Sequence, residues 1–150
     1  MLDTKRLALR PASQAEMEAL IADQENPAMR AAYGEMPDGC LAHPEQWRWY
    51  AAWLIVLKDG PCIGDACFKG LGDDGAVEIG YGINPPHEGQ GYATEAVDAM
   101  VRWALRQPGV VRVEAETEPG NTASQRVLAK CGFVPMGTIG KEGPRFIRLP

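Results

Sequence analysis

The sequence predicts a mixed α/β domain occupying residues 1–150, and three observations predict it. A chain of 150 residues buries one substantial core and hardly two. Apolar residues make up 45% and charged residues 23%, ordinary globular usage without low-complexity tracts, so the chain folds throughout. β-branched apolar runs joined by tight glycine turns lie among segments of helical periodicity, with no internal repeat.

Leu7 and Leu9 alternate with Arg6, Ala8 and Arg10 as a short strand, stopped at Pro11, which cannot extend a ladder. Ser13-Gln14-Ala15-Glu16 is a capping box: the Ser13 hydroxyl accepts from the Glu16 amide while the Glu16 carboxylate reaches back. Met17, Leu20 and Ile21 continue at helical spacing, and that helix ends before Asn26-Pro27. A second short helix is expected at Pro44-Glu45-Gln46-Trp47-Arg48-Trp49-Tyr50, with proline in its first turn. The run Trp53-Leu54-Ile55-Val56-Leu57, the turn Asp59-Gly60 and the run Ile63-Gly64-Asp65-Ala66-Cys67-Phe68 predict a hairpin. A further turn, Asp73-Asp74-Gly75, adds Val77-Glu78-Ile79-Gly80-Tyr81-Gly82-Ile83 as the third strand of an antiparallel meander. On that strand Val77, Ile79, Tyr81 and Ile83 share one face, leaving Glu78, Gly80 and Gly82 on the other, where missing side chains admit a ligand or a backbone.

The best-signalled helix covers residues 94–106, with Ala93, Ala96, Val97, Met100 and Ala104 on one face. Its early Glu95 and Asp98 and late Arg102 and Arg106 complement the helix dipole, and Gln107-Pro108-Gly109 ends it. Residues 110–116 read as a strand, and Asn121 caps a helix running through Cys131. Gly132 stops it, with Leu128 and Phe133 placed for the hydrophobic contact of a Schellman motif. The segment around Phe146-Ile147-Arg148 returns as a final strand.

The formal charge of -5 argues against a nucleic-acid partner and suits a cationic one, although solubility alone favours a charge of this size. Leu2-Asp3-Thr4-Lys5-Arg6 lacks the apolar core of a secretory leader, and no apolar run approaches the roughly 20 residues that span a bilayer. A cytoplasmic location without membrane association is expected. Cys40, Cys62, Cys67 and Cys131 show no CxxC spacing and read as reduced, mostly buried thiols. With only His43 and His87 to add, no metal site is expected.

Chemistry concentrates in the turn Glu88-Gly89-Gln90-Gly91-Tyr92-Ala93. Gly89 and Gly91 permit positive φ, and the helix that follows offers unpaired N–H groups, so backbone alone can wrap a pyrophosphate. Glycine turns also occur as plain connections. A P-loop is excluded because no Gly-Lys-Ser or Gly-Lys-Thr closes the turn. A dinucleotide fold is disfavoured: Thr94 stands where the third glycine belongs, and Asn84-Pro85-Pro86-His87-Glu88 separates strand from glycines.

These residues resemble the GNAT family of N-acetyltransferases, and within it the branch of bacterial ribosomal-protein N-terminal acetyltransferases (RimJ/RimL-like). The likeness runs from Glu78-Ile79-Gly80-Tyr81 through Gly89-Gln90-Gly91-Tyr92-Ala93-Thr94-Glu95-Ala96 to Asn121-Thr122-Ala123-Ser124-Gln125-Arg126-Val127-Leu128-Ala129-Lys130-Cys131-Gly132-Phe133. Arg6-Leu7-Ala8-Leu9-Arg10-Pro11 resembles the family's opening strand, while residues 28–43 match poorly. The resemblance implies a mostly antiparallel central sheet flanked by about four helices, and acetyl-CoA as cosubstrate with no metal. Pantetheine would run along the strand ending at Ile83, where splayed strands expose backbone groups, with pyrophosphate on the amides of Gly89, Gln90, Gly91, Tyr92, Ala93 and Thr94. Asn121 would contact the pantetheine region, cap its helix, or do both. Glu88 departs from the family's usual Arg or Gln, placing an acid near the phosphates unless it points away. Leu128 stands where many relatives carry a tyrosine that protonates the departing thiolate.

Acetyl transfer needs a neutral amine, a polarised thioester carbonyl and a proton for the thiolate. Glu78 is the candidate base, acting directly or through water, with a solvated or ion-paired acid as its other reading. Ser124 is either the proton donor or a serine bonded to its own helix backbone. The acceptor, a small-molecule amine or a peptide N-terminus, is expected near Met29, Tyr33, Trp47, Trp49 or Tyr50. A homodimer is left open, and a non-catalytic acyl-CoA sensor is the alternative of a different class.

Overall fold

The computed structural model describes all of residues 1–150. The chain opens on β1 (Leu2–Asp3) and β2 (Leu7–Pro11), then forms α1 (Gln14–Asp23) and α2 (Pro27–Ala42) and a 3-10 segment, Pro44–Trp49. β3 (Ala52–Leu57), β4 (Cys62–Leu71) and β5 (Ala76–Ile83) follow, then a 3-10 turn, Pro85–His87, and α3 (Tyr92–Leu105). β6 (Arg112–Glu116), α4 (Thr122–Lys130), β7 (Val134–Ile139) and β8 (Pro144–Arg148) complete the chain. All eight strands join one sheet in the order β1-β2-β3-β4-β5-β6-β8-β7. Every neighbouring pair is antiparallel except β5 and β6, which run parallel because α3 carries the chain between them.

The two faces of the sheet are covered differently. Trp53 and Ile55 of β3 enter the main core, whereas Ala52 and Leu54 enter a smaller cluster with Ala12, Met17 and Ala51. Alternate residues of a strand point to opposite faces, so α1 and α2 cover one side while α3 and α4 cover the other. On the α3 side, Ala96, Val97, Met100, Val101 and Ala104 are buried at the helical spacing read from sequence. Trp49, Trp53, Phe68 and Trp103 meet there edge-on or tilted, with ring centroids 5.0 to 6.2 Å apart.

Local signals were realised where their chemistry is local. Ser13 and Glu16 form the reciprocal capping box. Gly132, at φ 84°, ends α4 in a Schellman stop, with the Phe133 N–H donating to the Leu128 carbonyl at 3.0 Å. The expected second helix is displaced: Pro44–Trp49 is a 3-10 segment, and the true second helix is α2, over residues that Gly34, Pro37 and Gly39 had disguised. Gly39 has a packing cause, since a Cβ there would stand 2.8 Å from Cδ1 of Tyr50. Pro37 removes the N–H that would reach the Tyr33 carbonyl, within a helix that continues to Ala42. Cys131 is buried and Cys40 and Cys67 are half-buried, but Cys62 is exposed at the start of β4 and departs from the expected burial.

Met100 is fully buried at the centre of the α3 contact. Met100→Ala is expected to lower unfolding free energy by about 2–5 kcal/mol, read as a lower urea midpoint at unchanged slope.

Candidate functional site

The parallel pairing of β5 with β6 lasts three residues: Ala76 opposite Arg112, Val77 opposite Val113 and Glu78 opposite Glu114. Beyond Glu78 the strands part, while β5 stays paired to β4 up to Ile83 opposite Gly64. The Asn84 N–H donates to the Ile63 carbonyl at 2.7 Å, which fixes the phase of that ladder. By the alternation of an antiparallel pair, Gly80 and Gly82 turn their backbone groups to β4. Ile79, Tyr81 and Ile83 therefore turn theirs into the wedge between β5 and β6, where no strand meets them.

The wedge opens toward the glycine turn. Gly89 and Gly91 have φ of 75° and 83°, the left-handed region open to glycine. Gly91 is the N-cap of α3 and brings no side-chain cap. The backbone N–H groups of Gly89, Gln90, Gly91, Tyr92, Ala93 and Thr94 consequently find no acceptor anywhere in the chain. Six consecutive free donors at a helix start, with no capping acid, form a cradle for an anion. Glu88 is exposed and forms no ion pair.

Sequence reading missed the brace that holds this turn. Arg6, read only as part of the opening strand, places Nε 2.7 Å from Oε1 of Glu95. Its Nη1 donates to the Gln90 carbonyl at 3.0 Å, and its guanidinium lies 4.3 Å from the Tyr92 ring centroid. Glu95 also accepts from the Arg6 N–H at 2.8 Å and from the Thr4 hydroxyl. Burial works to raise the Glu95 carboxyl, but the bonds from Thr4 and Arg6 outweigh it and hold the group below its ordinary range. The dipole-complementing acid of the sequence reading is thus a tie between α3 and the segment that leads into β2.

At the closed end of the wedge, Arg145 of β8 donates to Glu116 at 2.7 Å, Glu78 at 2.8 Å and Glu114 at 3.0 Å. Lys69 takes the other Glu78 oxygen at 2.7 Å. Burial pushes the Glu78 carboxyl up, and the two cations overcome that and bring it below its ordinary value. Both oxygens engaged and affinity for a proton reduced: this geometry fits the ion-paired reading of Glu78 and works against the general base.

Ser124 lies in the first turn of α4, whose N-cap Asn121 accepts the Ser124 N–H at 3.0 Å. The Ser124 hydroxyl is 2.7 Å from the Tyr81 hydroxyl, not bonded to its own helix. Tyr81 reaches it from the edge of the wedge, and burial raises its hydroxyl above the ordinary range, keeping it protonated as a donor. Leu128, in place of the tyrosine of many relatives, is fully buried core. Among the aromatics expected near an acceptor, Trp49 is buried in the main core and Tyr50 stacks on His43 at 4.3 Å. Met29 is exposed, and the Tyr33 hydroxyl donates to Oδ1 of Asp65 at 2.9 Å. No group of three or more His, Cys, Asp or Glu side chains is placed to hold a metal ion.

Comparison with known proteins follows the same lines. A family profile described as an acetyltransferase (GNAT) domain matches residues 6–134. The uncharacterized N-acetyltransferase YjdG of Bacillus subtilis is 38% identical over 57% of this chain and 52% of its own length. YoaA of the same organism, also an uncharacterized N-acetyltransferase, is 30% identical over 93% of this chain and 85% of its own. The chain spans about half the length of the curated relatives it matches first. A RimL ribosomal L7/L12 α-N-protein acetyltransferase, solved with coenzyme A, superposes with a TM-score of 0.76 at 18% identity, covering 97% of this chain and 95% of that one.

Gly91→Ala forces a side chain into the left-handed region, at about 1–2 kcal/mol, and sets its Cβ 3.3 Å from Nη2 of Arg6. Coenzyme A affinity measured by calorimetry is expected to fall about tenfold, with the melting temperature lowered by a few degrees.

Proposed function

The chain belongs to the GNAT acetyltransferase family, and from that membership we propose that it is an acetyl-CoA-dependent N-acetyltransferase. Its acceptor is a primary amine, of a small molecule or of a protein N-terminus. One observation carries the proposal: six unpartnered amides stand at the mouth of a wedge whose β5 wall has its own backbone groups free. The diphosphate rests on the amides of Gly89, Gln90, Gly91, Tyr92, Ala93 and Thr94. Pantetheine, an amide-containing strand-like chain, extends the sheet by bonding to Ile79, Tyr81 and Ile83, with Asn121 at the opposite wall.

In the reaction, the ammonium first releases a proton to solvent. The amine lone pair then attacks the thioester carbonyl, whose oxygen is polarised by a β5 amide in the wedge. The C–N bond forms, the C–S bond breaks, and the nitrogen passes its second proton to solvent while the sulfur leaves as thiolate. Ser124 donates a hydrogen bond to that sulfur and accepts one from Tyr81, so the pair performs the work that Leu128 cannot. Glu78 serves in this scheme as the anchor of the closed end, not as the proton acceptor, because Lys69 and Arg145 already hold it.

Incubation with acetyl-CoA and a panel of amines and peptides, followed by thiol release and acceptor mass, tests the proposal. Ser124→Ala is expected to lower kcat about a hundredfold with coenzyme A affinity unchanged, and Tyr81→Phe to lower it less. Tight acetyl-CoA binding with no turnover on any acceptor supports a sensor instead.

A further inference from the structure

On the face covered by α1 and α2, β4 presents Asp65, Cys67 and Lys69 beside Gly82, Gly80 and Glu78 of β5. The lower end of this double row is closed by ion pairs. Glu78 has Lys69 and Arg145, Glu114 has Arg145 and Arg112, and Glu116 has Arg145. The upper end is unlike it. Asp65 is half-buried, no cation pairs with it, and its only protein partner is the Tyr33 hydroxyl on Oδ1. Its second oxygen has no partner, yet it is not sealed from solvent, since the only sealed unpartnered side-chain atoms are on His87 and Thr117. Next to it the sheet is bare: a Cβ at Gly82 would meet nothing within 4 Å, and one at Gly80 only Cys67 and Lys69 at 3.6 and 3.8 Å. Cys67 between them is a neutral thiol, pushed up to about 11 by burial.

A half-buried carboxylate without a counter-ion is less well solvated than a free one, and in a recess of the sheet it is a group suited to receive a cation. Burial accordingly raises the Asp65 carboxyl, and the Tyr33 bond offsets only part of that. Asp65 stands directly opposite Gly82, in the stretch of β5 whose other edge lines the wedge. We propose that Asp65, oriented by Tyr33, receives the ammonium group of the acceptor, which approaches the thioester from the α2 side across Gly80 and Gly82. This rests on the acetyltransferase reading and specifies it: the acceptor docks as a cation. Amines bearing a carboxylate beside the nitrogen are repelled. Tyr33 is a positioning residue, because it acts through Asp65.

The test compares alkylamines, charged at neutral pH, with arylamines, which are neutral there. Asp65→Asn keeps an acceptor for Tyr33 while removing the charge. It is expected to raise KM for alkylamines about tenfold or more, leave KM for arylamines within about threefold, and leave coenzyme A affinity unchanged. The variant should unfold at no lower temperature than the wild type, since it replaces an unpaired, half-buried charge with a neutral amide. Tyr33→Phe is expected to raise alkylamine KM by a smaller factor. A KM for alkylamines unaltered in Asp65→Asn, or raised equally for both amine classes, overturns the assignment while leaving the acetyltransferase reading intact. Absence of turnover by the wild type on every amine overturns both.

Discussion

Arg145 is the interaction on which the rest of the architecture depends. One guanidinium on β8 joins carboxylates from β5 and β6, Glu78, Glu114 and Glu116, and so pins these strands where their pairing ends. Two strands fixed at one end and free at the other form a wedge, and the free end is set by the turn into α3. Lys69 and Arg112 neutralise the remaining charge of the cluster. With these acids pulled into ion pairs, none of their charge is left free in the open part of the wedge.

The glycine turn offers its donors from backbone and so needs few particular side chains. The donors of the cradle are amides, supplied by a helix start and two glycines with positive φ. What side chains contribute is rigidity, as Arg6 shows by joining the Gln90 carbonyl, the Tyr92 ring and Glu95 at once. Glu88, just before the first glycine, is exposed, and the dipoles that follow it are aimed by the fold and not by that residue.

The features legible in sequence were those whose chemistry closes within a few residues. The capping box at Ser13, the Schellman stop at Gly132, the meander turns and the amphipathic face of α3 all belong to this class. Those that were not legible depend on residues far apart meeting in space. α2 escaped because Gly34, Pro37 and Gly39 oppose helix formation locally, and its cause is tertiary: Gly39 makes room for Tyr50. Glu78 lay at the expected position, but its two cations are 9 residues before it and 67 after it, so its ion-paired state appears only once β4 and β8 flank it. The same holds for Tyr81 with Ser124, and for Tyr33 with Asp65, 43 and 32 residues apart.

α2 contributes no fully buried residue, and its contact with the sheet passes through half-buried Met36 and Cys40 and through the Tyr33 hydroxyl. A helix so lightly rooted can be lengthened, shortened or rewritten by drift without disturbing the core on the opposite face. Selection can therefore act on the two faces separately, holding the glycine turn and the wedge constant while exchanging the surface of α2. Residues 28–43 are where such a history would leave its record.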